Sequence, residues 1–108
     1  MGEGFKLYVH KSPRCDAMEG SFFFDPDDPI YAEHFPGNPV VPGSMIIEAF
    51  MLAAFSTGQA PARAVRDFRF KRFVSPGEYR YRLEAAGTDL RCRLFDGDTV
   101  VATGVIAR

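Results

Sequence analysis

One segment of the chain is apolar on every side of a helix, and this constrains the fold more than any other feature. From Met45 to Phe55 the sequence reads MIIEAFMLAAF, in which Glu48 is the only charged residue. A helix that lies on an open sheet keeps a polar face, whereas a helix without one is usually buried on most sides. The segment therefore predicts a central helix that runs from about Ser44, as its N-cap, to about Thr57.

Glu48 is predicted to be a buried carboxylate within that helix. An ionised carboxylate without a partner is costly to bury, so Glu48 must find a partner, line a wetted pocket or stay protonated. A protonated carboxyl group can donate a proton in a reaction near neutral pH. Two structural alternatives stay open, because the side chain could instead bond a backbone group or reach solvent through a gap at a helix end.

A histidine precedes this helix by a short and conformationally restricted loop. His34 is followed by FPGNPVVPG, in which each proline fixes φ at about −65° and each glycine allows backbone shapes that other residues avoid. The loop is too short for a wide excursion, so we expect His34 to lie near the start of the helix. A histidine and a carboxyl group together suit acid–base chemistry. The alternative is a histidine that only satisfies a neighbouring backbone group.

Length, charge and cysteine content exclude several functions. The chain has 108 residues and a net charge of −1, which predicts a single domain over residues 1–108 and no basic face for nucleic acid. Cys15 and Cys92 lie far apart without metal-ligand spacing, and no signal segment opens the chain. We therefore expect a reduced, cytoplasmic protein without a metal site. No apolar run reaches the roughly 18 residues of a membrane span.

Strand patterns lie on both sides of the helix. Before it, FKLYVH and AMEGSFFF are predicted strands and IYAE is a short turn or helix; after it, the predicted strands are AVRDFRFKRFV, YRYRLEA, LRCRLF and TVVATGVIAR. Phe68 and Phe70 share a face, whereas Phe73 breaks the alternation and predicts a β-bulge. One long apolar helix with five or six strands predicts an α+β protein, in which an antiparallel sheet wraps around the helix as in a hot-dog fold.

The segment HFPGNPVVPGSMIIEA, residues 34–49, closely resembles the active-site segment of the 3-hydroxyacyl-acyl-carrier-protein dehydratases. These are the FabA/FabZ-type hot-dog enzymes of fatty acid and related polyketide or aryl-polyene synthesis. A weaker similarity continues through FRFKRFVSPGEYRYRLEA, residues 68–85. The resemblance implies dehydration of a 3-hydroxyacyl thioester, carried by an acyl carrier protein, to a trans-2-enoyl thioester without a metal or redox cofactor. It also implies a homodimer with two interface sites, each taking its histidine and its acid from different subunits.

Positions in the motif imply the site residues. The resemblance makes His34 the catalytic histidine, which would remove the C2 proton, and Glu48 the catalytic acid, which would protonate the departing 3-hydroxyl group. Gly43 falls where family members offer a backbone N–H to the thioester carbonyl, and Val40 falls where the loop backbone supports the histidine. An apolar tunnel beside the helix would hold the acyl chain. Its candidate lining residues, each of which could instead be plain core, are Phe50, Met51, Phe68 and Phe70.

Basic residues cluster in and around the strand that follows the helix. Acyl carrier proteins are acidic, so a basic rim near the tunnel mouth would steer them toward the site. The alternative is a solvated strand face without a partner. The docking candidates are Arg66, Arg69, Lys71 and Arg72, with Arg63, Arg80 and Arg82 nearby.

Two positions depart from the pattern of the family. FabZ-type members commonly carry glutamine four residues after the acid, where this chain has Leu52, and glycine often precedes the histidine, where this chain has Glu33. Two other hypotheses stay open. One is a hot-dog acyl thioesterase, which would hydrolyse the same thioesters with an acidic residue and a positioned water, although the HFPG histidine argues against it. The other is a non-catalytic partner subunit of a larger assembly, which Leu52 and Glu33 leave open.

Overall fold

Six strands and two helices make up the part of the chain that the computed structural model describes, namely residues 5–11, 17–33, 37, 39–55 and 64–107. The predicted end of the long helix near Thr57 lies outside these ranges. No helix within them combines the length and hydropathy that crossing a membrane requires. The elements are β1 (Phe5–Lys11), β2 (Ala17–Phe24), α1 (Ile30–Glu33), α2 (Gly43–Phe55), β3 (Ala64–Phe70), β4 (Gly77–Ala86), β5 (Asp89–Asp96) and β6 (Thr99–Ala107).

The six strands form one antiparallel sheet. Their order is β1-β2-β4-β5-β6-β3, so that β1 and β3 are the two edges of the sheet among the described strands. Tight turns join β4 to β5 and β5 to β6. Gly87 and Gly97 take φ values of 64° and 62° in these turns, a conformation that glycine adopts without a steric penalty. The predicted set of five or six antiparallel strands is confirmed.

The core lies between one face of the sheet and α2. In β4, Tyr79, Tyr81 and Leu83 are buried. Arg80 is exposed and Arg82 is partly exposed, so buried and exposed residues alternate along this part of the predicted strand YRYRLEA. The ring of Tyr81 stacks on Phe22 at a centroid distance of 4.3 Å, and Phe22 meets Phe50 of α2 edge-on at 5.1 Å. Aromatic side chains from two strands and the helix thus fix α2 against the sheet.

The edge strand β3 is irregular at Asp67. This residue has a φ of 57°, in the left-handed region that Asp enters more readily than most other non-glycine residues. The register of β3 against β6 shifts between Arg66 and Arg69, so a bulge lies inside the strand. The predicted bulge at Phe73 is wrong, because β3 ends at Phe70 and Phe73 belongs to the turn that follows.

Cys92 is a residue of the core. Its thiol is buried, and this burial raises the pKa of Cys92 to about 12, although a backbone hydrogen bond at Ile106 acts in the opposite direction. Since a thiolate is the reactive form of cysteine, Cys92 is not a nucleophile at neutral pH. Cys15 lies outside the described residues.

Candidate active site

The helix α2 begins at Gly43. The carbonyl of Pro42 accepts hydrogen bonds from the N–H groups of Met45 and Ile46, at 3.0 and 3.3 Å. The predicted N-cap at Ser44 is therefore wrong, because Ser44 already lies in the first turn of the helix. Pro42 is the residue before the helix, and its ring holds φ at about −65°.

The backbone N–H of Gly43 has no hydrogen-bond partner within the described part of the chain. It belongs to the first residue of the helix, where no carbonyl is available one turn earlier. The aligned peptide dipoles also place a partial positive charge at this end of α2. An oxygen that gains negative charge during a reaction would be stabilised at this position.

The ring of Phe70 lies directly against the first residue of α2. A Cβ atom added to Gly43 would lie 3.0 and 3.1 Å from two atoms of that ring. Phe70 keeps 40% of its surface exposed. The structure therefore brings together a predicted tunnel residue and the predicted backbone donor, at a place where part of the aromatic ring stays open.

Three of the four predicted tunnel residues form a continuous aromatic row. The rings of Phe68 and Phe70 stack with their centroids 6.4 Å apart, which confirms that they share a face of β3. Phe68 also contacts Phe50 of α2, at 6.0 Å. Phe50 is fully buried and so belongs to the core, Phe68 is half-buried, and Met51 lies on the exposed side of α2.

Glu48 lies on the exposed side of α2 in the single chain, which corrects the expected burial. The expected helix without an exposed face is also wrong. The reason is that one side of α2 is not covered by this chain's own described residues, although most of that side is apolar. This exposed face of α2 consists of Ser44, Glu48, Met51, Leu52 and Phe55, of which Phe55 is 68% exposed.

The loop before α2 is anchored to the turn that precedes β4. The N–H of Val41 donates to the carbonyl of Val74 at 2.7 Å. Val40, the predicted support of the histidine loop, is half-buried beside this bond. His34 itself, like Glu33's side chain, lies outside what the structure describes, so the predicted proximity of His34 to the helix stays a prediction.

The predicted docking residues differ in whether their charge is already engaged. Arg66 forms an ion pair with Asp89 at 2.5 Å, and Arg72 forms one with Asp96. Arg69 is exposed and forms no ion pair with another described residue.

The other basic residues also differ in whether another side chain already engages their charge. Lys71 resembles Arg69, since it is exposed and unpaired within the described ranges. Arg80 lies over the ring of Phe95 at 5.1 Å, and Arg82 contacts Glu84 at 3.5 Å. Arg63 lies outside the described residues. Arg69 and Lys71 are therefore the cations of this group that are available to a partner.

Two contacts that hold the site were not identified from the sequence. Gly104 lies directly beneath Phe68, because a Cβ atom there would come within 2.5 Å of three atoms of the ring. A glycine inside a strand pattern is a known sign of such a close approach. The bond between Val41 and Val74 joins two backbone groups and has no counterpart in the side-chain pattern.

Comparison with known proteins assigns the family. Residues 10–104 match the model of the family described as ApeI-like, ApeI dehydratase. The chain belongs to the ApeI-like family of dehydratases. The resemblance to hot-dog dehydratases that the segment 34–49 predicted is thereby confirmed. Curated FabZ proteins are similar to this ApeI-like chain in sequence, and several solved structures are similar to it in fold.

A 3-hydroxyacyl-[acyl-carrier-protein] dehydratase FabZ from Herpetosiphon aurantiacus is 35% identical to this ApeI-like chain over 94 residues, which cover 72% of the chain and 66% of that relative. The chain spans 42% and 61% of two further curated FabZ relatives. The dehydratase heterocomplex ApeI:P from Xenorhabdus doucetiae has a TM-score of 0.75 at 21% identity, with 94% of this chain and 96% of that chain covered.

A candidate thioesterase from Ralstonia eutropha, related to phenylacetic acid degradation, has a TM-score of 0.62 at 15% identity, with 93% of this chain and 81% of that chain covered. These structural similarities establish the hot-dog fold. Because one fold hosts different chemistries, the residues of the site must decide between them.

Proposed function

We propose that this ApeI-like chain converts 3-hydroxyacyl thioesters of an acyl carrier protein to trans-2-enoyl thioesters, in cytoplasmic fatty acid, polyketide or aryl-polyene synthesis. Family membership and the HFPG-containing segment support the proposal. The observation that carries it lies at the start of α2, where the N–H of Gly43 is unbonded within the described chain. Glu48 follows five residues later, about 7.5 Å further along the helix axis.

The proposed reaction removes a proton from C2 and the hydroxyl group from C3. His34 takes the C2 proton, which the neighbouring thioester carbonyl makes acidic, and the electron pair of the C–H bond forms the new double bond. Glu48 donates a proton to the departing hydroxyl group, which leaves as water. The N–H of Gly43 stabilises the negative charge that develops on the thioester oxygen, a contribution worth about 10²- to 10³-fold in rate when one such donor is lost.

The acyl chain would lie along the aromatic row. Phe70 contacts the start of α2 and remains 40% exposed, so it is the wall nearest to the proposed thioester position. Phe68 continues that wall, and Phe50 supports Phe68 from the core. Met51 would line the channel from the exposed face of α2.

We further propose that the active species is a homodimer with shared sites. The exposed face of α2 surrounds Glu48 with Met51, Leu52 and Phe55, and an apolar surface of this kind favours burial against another chain. A second copy over this face would take Glu48 out of water. A carboxyl group in an apolar environment favours its neutral, proton-donating form. The apolar Leu52, where relatives commonly carry glutamine, would strengthen that environment.

Docking of the carrier would depend chiefly on the unpaired cations. Arg69 and Lys71 can form new ion pairs with an acidic carrier without losing existing ones. Arg66 and Arg72 must share their charge with Asp89 and Asp96. Neutralising Arg69 should therefore weaken the use of a carrier-bound substrate more than neutralising Arg66, which serves as the matched control.

The test is incubation of the purified protein with 3-hydroxyacyl thioesters of increasing chain length, followed by mass spectrometry for the loss of water. His34→Ala and Glu48→Gln are each expected to lower the rate by at least about 100-fold, which is a typical contribution of general acid–base catalysis. Circular dichroism of both variants controls for folding. Glu48→Gln should fold normally, because the side chain is exposed in the single chain.

Other outcomes identify other functions. Release of free acid and thiol without an enoyl product would establish a thioesterase. Carrier binding without turnover of any substrate would establish a non-catalytic partner subunit. For the shared site, the specific activity should fall on dilution in parallel with dissociation of the dimer in sedimentation experiments; an active monomer would contradict the homodimer.

A further inference from the structure

The turn between β3 and β4 carries the most exposed large apolar side chain of the described residues. Phe73 is 85% exposed. We refer to residues 71–76 as the Phe73 turn. The next residue, Val74, is buried, so the turn places one apolar side chain in the core and the preceding one in solvent.

Backbone hydrogen bonds hold the Phe73 turn on both sides of Phe73. The N–H of Lys71 donates to the carbonyl of Val101 at 2.8 Å, and the carbonyl of Val74 accepts from Val41 at 2.7 Å. Phe73 lies between these two anchors. Its exposed ring is therefore presented by a fixed backbone, which reduces the entropy that binding a partner would cost.

Side chains add two further contacts to the same turn. The hydroxyl group of Tyr79 donates to the carbonyl of Ser75 at 2.6 Å. Arg72 forms its ion pair with Asp96 of β5. The turn is thus tied to β4, β5, β6 and the loop before α2.

The Phe73 turn lies beside the proposed thioester position. Val41, which bonds Val74 of the turn, is two residues before the first residue of α2. Phe70, three residues before Phe73, has its ring against Gly43. The Phe73 turn is therefore part of the surface that surrounds the proposed thioester position, where a docked carrier could contact it.

The charges around Phe73 favour an acidic partner. Arg69 and Lys71 are exposed and have no ion pair with another described residue. Arg72 remains half-exposed in its pair with Asp96. Basic residues beside an apolar ring complement a surface that has acidic side chains around an apolar recess.

We propose that Phe73 is the apolar anchor by which this protein docks its acyl carrier protein, with Arg69 and Lys71 as the charged contacts. This inference rests on the proposed function, which supplies the carrier as the partner. A second copy of the chain fits this surface less well. A two-fold contact centred on Phe73 would gather Lys71 and Arg72 of both copies in one small interface, and like charges brought together oppose association.

The experiment compares one acyl chain on two carriers. The 3-hydroxyacyl group is offered on the acyl carrier protein and, separately, on pantetheine alone. Phe73→Ala is expected to lower kcat/KM about tenfold for the carrier-bound substrate, through KM, because truncation of a central aromatic anchor commonly has an effect of this size. The pantetheine substrate should change less than twofold. Phe73→Leu, which keeps an apolar side chain, should restore most of the loss.

Three results would overturn the inference. Equal losses on both substrates would make Phe73 structural, and unchanged kinetics on both would deny it a docking role. Dissociation of the Phe73→Ala variant into monomers, measured by sedimentation, would assign the ring to a contact between copies.

Failure of the proposed function gives a different signature. If the wild-type protein dehydrates neither substrate, titration of a labelled 3-hydroxyacyl carrier against wild type and Phe73→Ala decides the matter. Binding about tenfold weaker in the variant supports the docking role. Equal affinity, or no binding by the wild type, overturns it.

Discussion

Substitution of Gly104 by alanine is expected to destabilise the fold, because the ring of Phe68 occupies the space where the new methyl group would lie. The added Cβ atom would be 2.5 Å from three ring atoms, whereas ordinary contacts between carbon atoms are about 3.5–4.0 Å. The ring must therefore move by about 1 Å or more. Its contacts with Phe50 and Phe70, at 6.0 and 6.4 Å between centroids, oppose that movement.

The size of the effect follows from the cost of overpacking. Extra methyl groups in packed regions typically cost about 1–3 kcal/mol, and we expect about 2 kcal/mol for Gly104→Ala. For a domain of this size, such a loss lowers Tm by roughly 10 °C. The measurement is urea unfolding followed by circular dichroism, at a fixed protein concentration so that any association contributes equally to each variant.

A double-mutant cycle tests the stated cause. In the Phe68→Ala background the ring is absent, so Gly104→Ala should cost less than about 0.5 kcal/mol. The two substitutions should therefore be coupled by more than about 1 kcal/mol. Additive losses would refute the reasoning, because they would show that the alanine at position 104 is unfavourable for a reason unrelated to Phe68.

Two further predictions concern buried polar groups. Burial raises the pKa of the Tyr81 hydroxyl to about 12, and this hydroxyl has no hydrogen-bond partner among the described residues. Tyr81→Phe should therefore raise the free energy of unfolding by about 1 kcal/mol in urea titrations. A loss of stability would instead show that the hydroxyl has a partner. The pKa of Cys92 rises from 9.0 to about 12 on folding, so the unfolded chain releases this proton first and stability must fall as the pH rises above about 9. Cys92→Ala should give a shallower decline than wild type between pH 9 and 10, and equal slopes below pH 8; parallel curves above pH 9 would contradict the shift.

The periodic parts of the fold could be predicted from the sequence. In β4, alternating aromatic and charged residues indicated a half-buried strand, and Tyr81 and Leu83 are indeed buried. The bulge in β3 could not be placed in this way. It depends on the left-handed backbone of Asp67, and an aspartate in a strand pattern does not by itself indicate that conformation. The break in alternation at Phe73 reflects instead that β3 has already ended, at Phe70.

The prediction for α2 shows a different limit. Hydrophobic periodicity reports that a surface avoids water, but it does not report which molecule covers that surface. Met51, Leu52 and Phe55 therefore have the same pattern as core residues although the single chain leaves them exposed. The expected burial of Glu48 failed for the same reason, because it assumed that the helix is enclosed by its own chain.

The irregularity of β3 has a consequence for the form of any assembly. A regular edge strand can be extended by identical strands from one molecule after another, and such growth has no natural end. At Asp67 the ladder loses its register, and a bulge twists the edge away from a flat template. A neighbouring strand can then match only a few residues on each side of Asp67. Edge pairing through β3 is thereby restricted to short, specific contacts, which disfavours open-ended growth at this edge of the sheet.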